Sequence, residues 1–184
     1  MVHAWQFGLV GILAVAMVTD LQTRKIYNWL TFPAMAVGLA LSVAFGGLGG
    51  LQASLIGFFA GSLVFALGFF MGGAMGAGDV KLMAAIGLWL GWPNVVASVL
   101  YVTLCGGLVA ILSATYHGTL LKLLKNLYWA MMGLAMPGGK AAVAAHESAA
   151  PPMPYGISIG LGTLLALFYP EPIALLQVFQ GGPH

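Results

Sequence analysis

Residues 51–92, LQASLIGFFAGSLVFALGFFMGGAMGAGDVKLMAAIGLWLGW, decide the fold. They hold an apolar run from 51 to 72, a glycine-rich break, and a shorter apolar run from 79 to 92, with Asp79 and Lys81 as the only charges. A helix needs ~20 apolar residues to cross a bilayer. The first run has that length and predicts a transmembrane helix. The second is shorter, so its start is expected below the headgroups, with the GGAMGAG backbone lining a wet cavity where non-helical chain is tolerated. A carboxylate placed there is costly unless water, a partner or a function holds it, which makes Asp79 a candidate site residue.

The rest of the chain has the same character. Of its 184 residues 61% are hydrophobic and 5% charged, with a mean hydropathy of +1.00, which leaves too little polar surface for a soluble domain. Residues 1–4, MVHA, lack the Lys or Arg that precedes a secretory signal, so the first apolar segment is expected to remain as a helix. The net charge of +2 comes without a cluster of Lys and Arg, which argues against a nucleic-acid surface. Cys105 stands alone, so no intrachain disulfide and no Cys-based metal site is expected. His3, His117, His146 and His184 have no ligand spacing, and no metal or cofactor is expected.

Six apolar segments can be delimited, at 4–20, 30–46, 51–72, 79–92, 95–116 and 155–176. The expected fold is all-α: a single polytopic membrane unit over 1–184 with six transmembrane helices. DLQTRKIYN, GGLGG, GGAMGAGD and GWPN supply the breaks. The long fifth loop, 117–154, opens with LLKLLKNLYWAMM, whose lysines among leucines suit a helix lying in the headgroup layer. It continues as PGGKAAVAAHESAAPP, a flexible exposed composition. Arg24 and Lys25, Lys81, and Lys122, Lys125 and Lys140 fall in or beside the first, third and fifth loops. Short cytoplasmic loops are enriched in Lys and Arg, so these three loops are expected in the cytoplasm and both termini outside.

This topology brings Asp20, at the end of the first helix, to the same depth as Asp79 at the start of the fourth. Glu147, in the fifth loop, and Glu171, at the outer end of the sixth helix, are placed away from them. Two carboxyl groups close together in a low dielectric share one proton. In an aspartic protease the ionised member takes a proton from water while the protonated member polarises the scissile carbonyl. Peptide hydrolysis in the membrane follows as a hypothesis. Gly76 and Gly78, in the GxGD element, would shape the site by allowing close backbone approaches. A proton- or cation-coupled small transporter is the alternative from another class, since such proteins also use intramembrane carboxylates and glycine-broken helices. Against it, both aspartates lie at one membrane edge and the halves show no repeat. A catalytically silent assembly scaffold is a third reading.

Neighbouring residues carry plain readings too. Arg24 is four residues after Asp20, so a helical continuation would allow a weak surface ion pair. Lys81 is two residues from Asp79, on another helix face, where it reads as a cytoplasmic anchor or as a tuner of catalysis. Asn28 is expected to cap the second helix and Asp79 the fourth. Pro154 and Tyr155 read as a helix start with an interfacial Tyr. Gly57 and Gly61 form a GxxxG pair that signals close helix packing.

Three stretches, DLQTRKIYN (20–28), GAGDVKLMAAIG (76–87) and PYGIS (154–158), together make the chain resemble the type IV prepilin peptidases, aspartic intramembrane proteases of the GxGD class. The resemblance implies that Asp20 and Asp79 are the catalytic residues and that the substrates are prepilin or pseudopilin precursors. Their short basic leaders would be removed at the cytoplasmic face of the bacterial inner membrane. It also raises a substrate-binding role for Arg24, Lys81, Pro154, Tyr155 and Gly156. The chain departs from the larger members in lacking a CxxC pair in its first cytoplasmic loop, so their additional N-methyltransferase activity is not expected. The compact form is most similar to the short peptidases serving tight-adherence (Flp) pili, with an archaeal preflagellin peptidase as the alternative.

Overall fold

A computed structural model describes residues 4–72, 76–116, 118–121, 125 and 155–169, and within them every regular element is a helix. These are α1 (Ala4–Thr23), α2 (Asn28–Gly72), α3 (Ala77–Leu90), α4 (Asn94–Tyr116) and α5 (Tyr155–Phe168). Three helical stretches are long and apolar enough to cross a membrane: Gln6–Thr23, Asn28–Phe69 and Asn94–Tyr116. Tyr155–Phe168 is a shorter apolar helix. Phe45, Leu48, Leu104 and Phe59 are among many large apolar side chains on the outer surface, as expected where the solvent is hydrocarbon. The interfacial helix and loop expected within 117–154 lie outside the described residues except for 118–121 and 125. So does the expected continuation of the last helix beyond 169.

A straight helix as long as α2 would reach about 68 Å at ~1.5 Å per residue. It does not run straight. Gly47 has φ 56° and ψ −140°, a backbone conformation open to glycine and strained for residues with a Cβ. Ser42 and Ser54 would stand ~18 Å apart along one helix, yet their hydroxyls hydrogen-bond to each other. A Cβ at Gly50 would collide with the Ser42 carbonyl. The chain therefore doubles back at Gly47, and the expected break at GGLGG is a reversal centred on one residue between two helical arms.

α3 fills the space against this hairpin. Its residues Leu82 to Trp89 are all buried, which explains why so short a helix is apolar on every side. Gly57 and Gly87 meet backbone to backbone, and a Cβ on Gly61 would stand 2.8 Å from the Met83 carbonyl oxygen. The expected Gly57/Gly61 packing face thus meets α3. The Ser54 hydroxyl lies 2.7 Å from the Leu88 carbonyl oxygen, the Trp89 indole N–H donates to the Ala34 carbonyl at 2.7 Å, and the Trp92 amide donates to the Ala53 carbonyl at 2.9 Å.

α5 joins α1 to α4. Ser98 and Thr163 share a buried hydroxyl hydrogen bond of 2.9 Å, and Gly162 packs on the Val102 backbone. On the other side Gly160 receives the Met17 side chain. One core runs through all five helices, including Leu13, Phe65, Met83, Ile86, Val102 and Ile159.

Candidate functional site

Helix ends build the site. α1 terminates after Thr23, where Arg24 turns left-handed at φ 52° while its amide still donates to the Asp20 carbonyl at 2.8 Å. The helix thus runs three residues past the apolar segment expected at 4–20 and ends just before Arg24. Residues 25–27 then lead directly into α2. The cap of α2 is Tyr27, whose carbonyl accepts from the Leu30 and Thr31 amides at 3.1 and 3.3 Å. Asn28, expected as the cap, instead accepts a 2.9 Å hydrogen bond from Lys81 Nζ.

The start of α3 differs from expectation in a similar way. Gly76 occupies the N-cap with φ −79° and ψ 151°, and Asp79 sits three residues later in the first turn. Asp79 Oδ2 accepts the Gly76 N–H at 2.8 Å. This is the half of a capping box that a glycine cap permits, since glycine has no side chain to return the bond. A carboxylate in the first turn also faces the positive end of the helix dipole.

Asp20 is 6% exposed and Asp79 7% exposed, values reached by few carboxylates. Asp20 Oδ2 accepts a buried 2.8 Å hydrogen bond from the backbone amide of Gly156, in the first turn of α5. Each aspartate thus has one oxygen tied by a glycine amide at the beginning of a helix. Gly78 packs so closely on the 25–27 link that a Cβ there would be 2.9 Å from Ile26 Cβ. Asp20 is among the charges felt at Asp79, and Asp79 among those felt at Tyr155. No group of three or more His, Cys, Asp or Glu side chains gathers among the described residues. The arrangement places two shielded carboxyls at helix ends.

Most of the candidate residues share this end of the bundle. Gly156 contacts Asp20, Gly76 contacts Asp79 and Gly78 contacts Ile26 of the link that follows α1, and Arg24 is exposed at the end of α1. Lys81 is committed to Asn28 and lies 5.4 Å from the centre of the Phe32 ring, which pins α3 to the beginning of α2. Pro154 lies outside the described residues. Ile26 was not legible as a site residue, because an isolated Ile in a polar link carries no signal of its own.

The fold and this pair of buried carboxyls define a helical membrane protein with an acidic site at one end of its bundle. The sequence model of the type IV leader peptidase family matches residues 7–111, a stretch that includes both aspartates, and the chain belongs to that family. It is similar to the prepilin leader peptidase/N-methyltransferase of Burkholderia pseudomallei, in strains 1026b and K96243. The identity is 35% over 118 residues, covering 61% of this chain and 38% of each relative. The match thus takes in well under half of the relatives' length. No solved structure matches the chain.

Proposed function

We propose that this protein is an intramembrane aspartic endopeptidase that removes the short basic leader from prepilin-like precursors. The observation that carries the reading is the pair of buried, glycine-tethered carboxyls, Asp20 and Asp79, in a chain of the type IV leader peptidase family. In the proposed reaction the ionised carboxyl takes a proton from water, and the hydroxide character so generated attacks the scissile carbonyl carbon. The protonated carboxyl donates to the carbonyl oxygen as charge develops there. Collapse of the tetrahedral intermediate breaks the C–N bond: the departing amine takes the proton held by the first carboxyl, and the second carboxylate takes one back from a hydroxyl of the intermediate, which leaves the product acid and restores the pair to one proton. Family membership favours this chemistry over the proton- or cation-carrier reading, and the named relatives favour a prepilin over a preflagellin substrate.

The finer features of the proposal are six membrane spans, with the two arms of α2 as the second and third, and a site on the cytoplasmic face. Clustering of Arg24, Lys25 and Lys81 at the end that carries the aspartates supports this orientation. We assign the chain to the short peptidases of tight-adherence pili, cleaving without methylating. The 20–28 link has none of the paired cysteines of the larger members. Purified protein in detergent, incubated with a precursor bearing a basic leader and an apolar N-terminal helix, should release the leader as a gel shift. The new N-terminus should be unmethylated by mass spectrometry. An intact precursor under all conditions would sink the proposal.

Two further outcomes follow. Cleavage should fall at both acidic and alkaline pH, because the pair must hold one proton; a flat profile would exclude shared-proton catalysis. Lys81→Met should lose one solvent-accessible hydrogen bond, about 1 kcal/mol of stability or less, and retain kcat. A large fall in kcat without a change in melting temperature would instead give Lys81 a share in the chemistry.

A further inference from the structure

The link between Asp20 and Gly156 spans 136 positions in sequence and lies outside what the family match covers, since α5 begins after the matched residues 7–111. The first amides of a helix have no intrahelical acceptor, and a buried one must find another partner. The Gly156 amide finds it in Asp20 Oδ2, on a different helix, at 2.8 Å. The fit leaves no room for a side chain. A Cβ at Gly156 would lie 2.8 Å from both Asp20 Cβ and Oδ2 and 2.9 Å from Cγ. The carboxylate is wedged against the bare glycine backbone, so any bulk added at Gly156 must displace the Asp20 side chain or part α1 from α5. Gly160, one turn on, is filled by the Met17 side chain from one turn earlier in α1, so the two helices are also locked in register below the site.

We propose that Gly156 is the positioning residue of Asp20: its amide holds one carboxylate oxygen and its missing side chain sets the carboxylate's place, leaving the second oxygen to the reaction. α5 then acts as a backstop for the carboxylate, and Gly156 makes no contact with the leader. Asp79 is held in the same manner by Gly76 from within its own helix. The difference is that the Asp20 tether depends on the packing of α5 on α1, so correct docking of α5 is required for catalytic geometry. This inference rests on Asp20 being catalytic.

Two changes to Gly156 separate positioning from bulk. Gly156→Ala retains the amide but drives the carboxylate away, and should lower kcat by about 10²-fold, the scale expected for a small misplacement of a reacting group, with KM unchanged. Replacing Gly156 by glycolic acid, a backbone amide-to-ester exchange, removes the donor without adding an atom to the crowded site. It should lower kcat by about 10-fold or more, the loss of one hydrogen bond to a charged group, again with KM unchanged and the same melting temperature as wild type to within a few degrees. Wild-type kcat in the ester variant, or a raised KM with kcat retained, overturns the proposal, the latter by making Gly156 a substrate contact. Isotope-edited infrared spectroscopy provides a readout that needs no cleavage. With labelled aspartate, the band lost in Asp20→Asn should shift in the ester variant. If wild-type protein fails to process any precursor, the peptidase reading falls, while the infrared band still decides whether the tether exists: an unshifted band overturns it.

Discussion

On the proposed peptidase reading, Asp20→Asn and Asp79→Asn should each slow leader removal by about 10²–10⁴-fold in initial rate, and the double substitution should be no worse than the more damaging single one. Asparagine keeps a carbonyl oxygen in the place of Oδ2, so it can still accept from Gly156 or Gly76, and both variants should reach the membrane in normal amounts. What it cannot do is take up or release the shared proton. Non-additivity is expected because the two groups act as one unit: once either has gone, the other has no step left to assist. Initial rates of precursor conversion by purified wild-type, single and double variants check this. Normal processing by either single variant would end the dyad assignment, and multiplying losses would mean that the carboxyls act in separate steps.

The largest effect on folding is expected at a glycine far from any chemistry. Gly87→Leu should destabilise the protein by about 3 kcal/mol or more, at or beyond the upper range for overpacking, whereas Gly107→Leu should not destabilise it, a better helix former on an open face adding up to about 1 kcal/mol. The residue exchange is the same and the surroundings are opposite. A Cβ on Gly87 runs into the Gly57 carbonyl across the α2–α3 contact, where backbone meets backbone and no flexible side chain can yield. Gly107 faces open space on α4. Because α3 positions Asp79, loss of this contact should also remove activity in whatever fraction still folds. Thermal unfolding in detergent compares the two variants directly. Equal melting temperatures would mean that α3 does not pack on α2 through these glycines.

Local chemistry made much of this legible. Apolar runs with glycine and proline punctuation predict helices and their breaks, because a chain without water partners must satisfy its amides internally. The 79–92 run anticipates α3 at Ala77–Leu90, and the 95–116 run anticipates α4 at Asn94–Tyr116. Capping was less legible. Asn28 and Asp79 carry the side chains expected of caps, yet Tyr27 and Gly76 take those places. Asn28 is drawn to Lys81, and Asp79 caps from inside the first turn, where it also meets the helix dipole. A side chain with two possible partners chooses by what packs beside it, and that is not written in its neighbours in sequence.

By itself, then, the sequence determined an all-helical membrane protein with two carboxylates at helix ends, since hydropathy and the energetic penalty of a charge in hydrocarbon act residue by residue. Tertiary structure alone decided which residue of the expected GGLGG break carries the reversal, that α3 lies against the resulting hairpin, and that the amide holding Asp20 belongs to Gly156. Glycine has no side chain whose chemistry could announce a partner. Its role here comes from how closely another helix can approach it, and that distance exists only once α1 and α5 have packed.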